Sequence, residues 1–224
     1  SEMSEWLDEW VDGDDFYFPS KLESELKIIT GGNYGCVYSN HVFVDESGNK
    51  SDLFSSDGGQ PAQGNIFKEN FTRSFHVSSG ANFHNEMYYR SCAFDIGLYD
   101  ENIQIWEDWD FRIRMSKEFQ YGYCPEVNSA YRKLDNGLHN SGPELHYREQ
   151  IKIYRKNKHL MDDMKKEEIN IIRNRLYSQL KSLFISVSKI NLNRGKYFRF
   201  IIDLFEFLLT FKMKKALGFI FRKL

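Results

Sequence analysis

The sequence is poor in residues that staple or interrupt a fold. It has three cysteines, Cys36, Cys92 and Cys124, widely spaced and without a C-x-x-C pair. That pattern excludes a disulfide framework and a cysteine-based zinc site, and it fits a reducing compartment. Four prolines and 15 glycines exclude collagen-like and low-complexity chains. No stretch reaches the ~20 apolar residues of a transmembrane helix. The nearest, Phe198 to Phe211, is broken by Arg199, Asp203 and Glu206. The opening Ser1-Glu2-Met3-Ser4-Glu5 is acidic and has no apolar core, so no secretory signal is expected. Gly31-Gly32 and Gly58-Gly59 lack the G-x-G-x-x-G frame of a dinucleotide site. His41, His76, His84, His146 and His159 have no partner at metal-ligand spacing and read as solvated or core histidines.

Aromatic residues are abundant. Phe, Tyr and Trp make up 16% of the 224 residues, which excludes wholesale disorder. The net charge of −2 hides a segregation. Residues 151–224 carry 18 Lys and Arg against 6 Asp and Glu, whereas residues 1–150 carry 12 against 26. An acidic part suits a divalent cation. A basic part suits an anionic membrane, nucleic acid or the acidic part itself. Solvated surface charge is the plain alternative. The tail's lysines are not interleaved with exposed aromatics in a nucleic-acid motif, so no nucleic-acid partner is expected.

The patterning predicts an α/β front. Ser20 is placed to cap a helix to about Ile29, with Glu23 three residues on as a capping box. Strands are expected at 35–39 and 41–44, a turn at 45–49 and a loop over 51–65. Short helices are expected at 65–70 and 90–96, with a strand ending near Tyr88 between them. Phe111, Met115 and Phe119 recur at helical spacing within 108–119. Two strands, 121–124 and 129–132, flank Pro125. After Pro143 the chain turns helical, over 144–157, 167–189, 196–211 and a short stretch ending at Leu224. We therefore expect one part at 1–143 and a basic all-α extension at 144–224.

Two clusters could carry chemistry. Asp12, Asp14 and Asp15 lie within four residues, and such carboxylates repel unless a cation sits between them. Oxygen ligands of this kind suit Mg²⁺ or Mn²⁺. On spacing alone an acidic surface turn explains them better. Glu107 and Asp108 open the 108–119 helix between Trp106 and Trp109. Burial beside indole would move such a carboxyl toward general-base character. On spacing alone, acids favouring a helix N-terminus suffice.

Taken in order, these pieces resemble a family. Trp10-Val11-Asp12-Gly13-Asp14-Asp15-Phe16-Tyr17-Phe18-Pro19-Ser20-Lys21-Leu22-Glu23 is similar to the segment around the metal-binding D-x-D of inverting family 2 glycosyltransferases. Gly35 to Ser39 with Val44 to Gly48 resembles the next strand and turn. Met87-Tyr88-Tyr89-Arg90-Ser91, Ile96-Gly97-Leu98-Tyr99-Asp100-Glu101 and Glu107-Asp108-Trp109-Asp110-Phe111-Arg112-Ile113-Arg114 resemble later blocks. Tyr123-Cys124-Pro125-Glu126 with Tyr131-Arg132 resembles the closing one. The resemblance covers about residues 5–142.

It implies a GT-A fold that lacks the N-terminal nucleotide-binding half, since the family carries a long segment before its D-x-D. It implies transfer of a sugar from a nucleotide diphospho-sugar to a hydroxyl of a glycan or lipid-linked acceptor. Asp14 and Asp12 are the implied ligands of Mn²⁺ or Mg²⁺. Asp12, Asp15 and Arg132 fall on the donor diphosphate side. Asp108 is the implied catalytic base, with Glu107 beside it. Asp12, Asp14 and Asp108 are expected to converge on one cleft, and the chain alone is expected to transfer little sugar. His139 is not placed in a role, because Lys133-Leu134-Asp135 stands where the family often has a histidine. The competing expectation is a non-catalytic remnant that binds carbohydrate or membrane. Either reading fits a cytoplasmic protein, peripheral on the inner face of the cell membrane. There the apolar Phe198, Ile201, Ile202, Phe205, Leu208 and Leu209 would either meet lipid or pack on Ile172, Leu176, Leu183 and Phe184.

Overall fold

A computed structural model describes residues 7–8, 15–53, 61–74, 86–134 and 141–211. The chain is mixed α/β and divides into two compact units. The first holds residues 1–100 and 108–137; the second holds 101–107 and 138–224.

The first unit is built on a mixed sheet of six short and long strands among the described residues: β1 (Leu7–Asp8), β2 (Phe16–Tyr17), β3 (Cys36–Val44), β4 (Lys50–Leu53), β5 (Met87–Tyr89) and β6 (Tyr121–Arg132). The strand order is β1-β5-β3-β6-β2, with β4 also pairing β3. Only β3 and β6 run parallel. Every residue of β3 is buried, as a central strand covered on both faces requires. The two strands expected at 35–39 and 41–44 are therefore one.

β6 likewise fuses the two strands expected on either side of Pro125. The pairing with β3 passes from Ser39↔Cys124 to Asn40↔Val127 and then to His41↔Ser129. Pro125, Glu126 and Asn128 are thus bulged out of the ladder. Pro125 has no N–H to donate, so the bulge removes the conflict. The turn at 45–49 closes a hairpin: Asp45 Oδ1 accepts the Asn49 amide at 2.8 Å, and Gly48 takes φ +82°. β4 forms in what the sequence suggested was loop, because the hairpin brings it against β3.

Helix α1 (Lys21–Gly31) lies where expected, but its start differs. Ser20 makes no side-chain cap; its hydroxyl donates to Asn128 Oδ1 at 3.2 Å. Glu23 pairs with Lys27 on the surface instead of closing a capping box. Helices α2 (Phe67–Thr72), α3 (Arg90–Asp95) and α4 (Glu107–Glu118) follow. Phe111 and Met115 of α4 are fully buried against Tyr38, Tyr88 and Tyr121, with Phe119 partly buried beside them. That is the face the helical spacing predicts.

The second unit contains α5 (Pro143–Asn157), a 3₁₀ turn (Lys158–Met161), α6 (Lys166–Asn193) and α7 (Tyr197–Phe211). Ile172, Leu176, Leu180, Phe184 and Val187 form the buried stripe of α6. α7 packs Phe200, Leu204, Phe207 and Phe211 inward, and Phe207 stacks on Phe184 at 4.9 Å. The helical hairpin is real, but a different face of α7 makes it from the one expected. The stretch 212–224 lies outside the described residues. No helix among the described residues is long and apolar enough to cross a membrane.

Candidate active site

Asp108 sits in the first turn of α4 with its side chain 27% exposed. One oxygen, Oδ2, accepts from Arg112 Nη1 at 2.5 Å. The other, Oδ1, accepts from the Trp109 amide at 2.7 Å. Arg112 is itself buried and turns two further donors onto Glu86. Nε reaches Oε1 at 2.7 Å, and Nη2 reaches Oε2 at 2.8 Å. One guanidinium therefore serves two carboxylates, and the fork geometry fixes it in plane. Burial pulls the Arg112 pKa down, but the Glu86 and Asp108 carboxylates outweigh it and hold the guanidinium well above its ordinary value.

Burial beside indole is one of two readings that the sequence offers for this acid. A cation faces it instead. Trp109 turns to the core, where Nε1 donates to the Asn70 carbonyl at 2.8 Å and the Arg73 guanidinium lies over the ring at 4.9 Å. Asn70 Nδ2 donates in turn to the Arg112 carbonyl. Asp110, fully buried, holds Arg114 at 2.8 Å, and Arg114 caps the Ile96 and Leu98 carbonyls. Those bonds pin a turn in which Gly97 and Leu98 both have positive φ, +85° and +61°. The motif thus splits by position. Asp108 reaches the surface, backed by the buried Arg112, while Asp110 and Arg114 hold the chain that precedes α4.

Trp106, in the second unit, takes φ +69°, a conformation costing ~1–3 kcal/mol for a bulky residue. Its Nε1 donates to His146 Nδ1 at 2.9 Å, a contact within that unit which helps hold it. Glu107, the next residue, opens α4.

Asp15 and Arg132 are brought together. Asp15 Oδ1 accepts the backbone amide of Arg132 at 2.7 Å, extending the β2–β6 pairing by one strap. The Arg132 guanidinium lies over the Phe16 ring at 5.8 Å. Asp12 and Asp14 lie outside the described residues. Among the described residues no group of three or more His, Cys, Asp or Glu is placed to hold a metal. The carboxylates of Asp12 and Asp14 are nonetheless the hard donor type that Mn²⁺ and Mg²⁺ take.

Sequence reasoning missed Glu86 and the pairing of Trp106 with His146. It also missed a buried polar network in the first unit. Lys21 Nζ meets Glu25 at 2.6 Å, Ser39 Oγ donates to Glu25, and Asn128 Nδ2 donates to Ser24 and Ser39 at 2.8 and 2.9 Å. Bulging Asn128 out of the ladder is what turns its amide inward. No family model matches the chain, and no curated protein matches it.

Proposed function

We propose that the chain belongs to a glycosyltransferase of the GT-A type. It would move a sugar from a nucleotide diphospho-sugar to a hydroxyl of a glycan or lipid-linked acceptor, with inversion. The supporting observation is Asp108: partly exposed, in the first turn of a helix, and fixed from behind by a buried guanidinium. A general base needs that combination of access and fixed direction. Each Asp108 oxygen accepts one hydrogen bond here and keeps a lone pair for a substrate proton.

In the proposed reaction Asp108 takes the proton of the acceptor hydroxyl. The hydroxyl oxygen bonds to the anomeric carbon from the face opposite the diphosphate, and the bond to the diphosphate oxygen breaks. Glu107 stands beside the base as a second acid. Asp12 and Asp14 would hold Mn²⁺ or Mg²⁺, which supplies charge neutralisation at the diphosphate. Asp15 and Arg132 belong to the donor side.

The test is sugar transfer with Mn²⁺ or Mg²⁺ and a panel of nucleotide sugars, on the 224-residue chain and on any longer natural form. Loss of transfer in Asp108→Asn and in Asp14→Asn, with unchanged melting, supports the reading. Transfer at the wild-type rate by Asp108→Asn removes it. If no form transfers sugar, the non-catalytic interaction module is the better account.

A further inference from the structure

We infer that the outer face of α7 is a docking surface for an anionic lipid bilayer. The inference goes beyond the transfer reading and does not depend on it. α7 is apolar on two sides. Its inner side is already used, by Phe200, Leu204, Phe207 and Phe211. Its outer side leaves Phe198 77%, Phe205 62% and Leu209 71% exposed, with Ile201, Ile202 and Tyr197 exposed alongside them. Positions 198, 201, 202, 205 and 209 fall at i, i+3, i+4, i+7 and i+11, which is one continuous stripe. A contiguous apolar patch of this kind on a surface helix marks an interaction site, unlike scattered single residues.

The charge around the stripe selects the occupant. Where α6 passes into α7, a cleft of about 340 Å³ is lined by four basic residues, Arg148, Arg194, Lys196 and Arg199, and by two acids, Glu144 and Asp203. Arg194 and Arg199 have carboxylate partners, Glu144 at 3.4 Å and Asp203 at 3.0 Å. Arg148 and Lys196 are exposed and make no ion pair among the described residues. Residues 151–224 as a whole carry 18 basic side chains against 6 acidic ones. Joining two copies through this face would set two such excesses against each other, whereas an anionic lipid surface is attracted by them. The 15 residues of α7 are too few to span a bilayer. They suit a helix lying in the headgroup plane with Phe and Leu side chains facing the acyl boundary. Lipid phosphates are the anions that the cleft cations would meet there.

The experiment is co-sedimentation of the 224-residue chain with vesicles of phosphatidylcholine alone or mixed with phosphatidylglycerol, at low and high salt. The wild type should pellet with the mixed vesicles, and much less with phosphatidylcholine or at high salt. Phe198→Glu with Phe205→Glu should leave the chain in the supernatant. Arg148→Gln with Lys196→Gln should weaken partition by at least ~10-fold, since each basic residue near the surface contributes about fivefold. Both pairs change exposed side chains, and an unchanged melting curve confirms the fold. Should the Glu pair fail to fold, Phe205→Trp gives a second measurement: added fluorescence quenched by brominated lipid. Pelleting of the Glu variant like wild type overturns the proposal. So does equal pelleting with both vesicle types, no brominated-lipid quenching at position 205, or a lipid-free dimer that the Glu pair dissociates.

Discussion

Glu86 grips Arg112 through both carboxylate oxygens, at 2.7 and 2.8 Å, across 26 positions of sequence. Both side chains are essentially inaccessible, 0% and 1% exposed. Removing one partner of such a pair strands a buried charge, at a cost of ~3–5 kcal/mol. We expect Glu86→Gln and Arg112→Met each to lose about that much in urea unfolding. The double variant Glu86→Gln with Arg112→Met should lose clearly less than the single losses together, because no buried charge is then stranded. Strictly additive losses would show that the two residues do not act as a pair.

Asp108 sits at the wet end of the same array, and its removal should separate catalysis from stability. Glu86 keeps Arg112 satisfied when Asp108 is neutralised, so Asp108→Asn should melt within a few degrees of wild type. In a form of the protein that transfers sugar, turnover should fall by ~10²–10⁴-fold, the usual contribution of a general base. Donor affinity, read by titration calorimetry, should hold. A large loss of stability with turnover intact would make Asp108 a structural residue.

Much of this arrangement was legible and some was not, for physical reasons. Phe111, Met115 and the α6 stripe are local periodicities, and they pack as the spacing requires. Asp108 and Arg112 stand four residues apart on one helix, so their contact could have been read from spacing. Glu86 carries no local signal: its partner lies in another element, and nothing around it marks it as buried. Pro125 suggested a strand end because its missing N–H forbids regular pairing. The chain instead bulges and resumes. Ser20 and Glu23 match a capping box by type, but Asn128 takes the Ser20 hydroxyl. On α7 an apolar residue at every turn hid which side would be buried, and only packing on α6 decided it.

Gly35 is required by a close approach. A Cβ there would lie 2.6 Å from Phe119 Cβ and 2.8 Å from its Cγ, atoms near the backbone that cannot swing aside. The Gly35 amide also bonds to the Gln120 carbonyl at 3.0 Å, which fixes the spacing. Gly35→Ala should therefore cost ~1–3 kcal/mol, as overpacking does. Gly31, at the end of α1, has nothing within 4 Å of its Cβ position. Gly31→Ala should be neutral or stabilise by ~0.4–1 kcal/mol, through the lower freedom of the unfolded chain. Denaturant unfolding of the two variants measures the contrast. Equal effects at both positions would count against the close contact at Phe119.

Asp203 is a buried carboxyl on α7 whose pKa lies above the ordinary aspartate value. Burial is the main cause, opposed by Arg199 and reinforced by Glu206 and Glu144. Its Oδ2 accepts from Asn191 Nδ2 at 3.0 Å, and Arg199 Nε stands 3.0 Å from Oδ1. A raised acid pKa means the folded chain holds this proton more tightly than the unfolded chain. Its contribution to stability therefore falls as pH rises from the ordinary aspartate value to the raised one, and it stays low above that. Asp203→Asn removes this titration while keeping an oxygen for Asn191. Relative to wild type, the variant should gain stability with rising pH across that window and hold the gain at neutral pH. Urea unfolding of both proteins from acid to neutral pH gives the difference curve. If the curve rose toward acid instead, the Arg199 pair would outweigh burial, and Asp203 would be a stabilising anion in the fold.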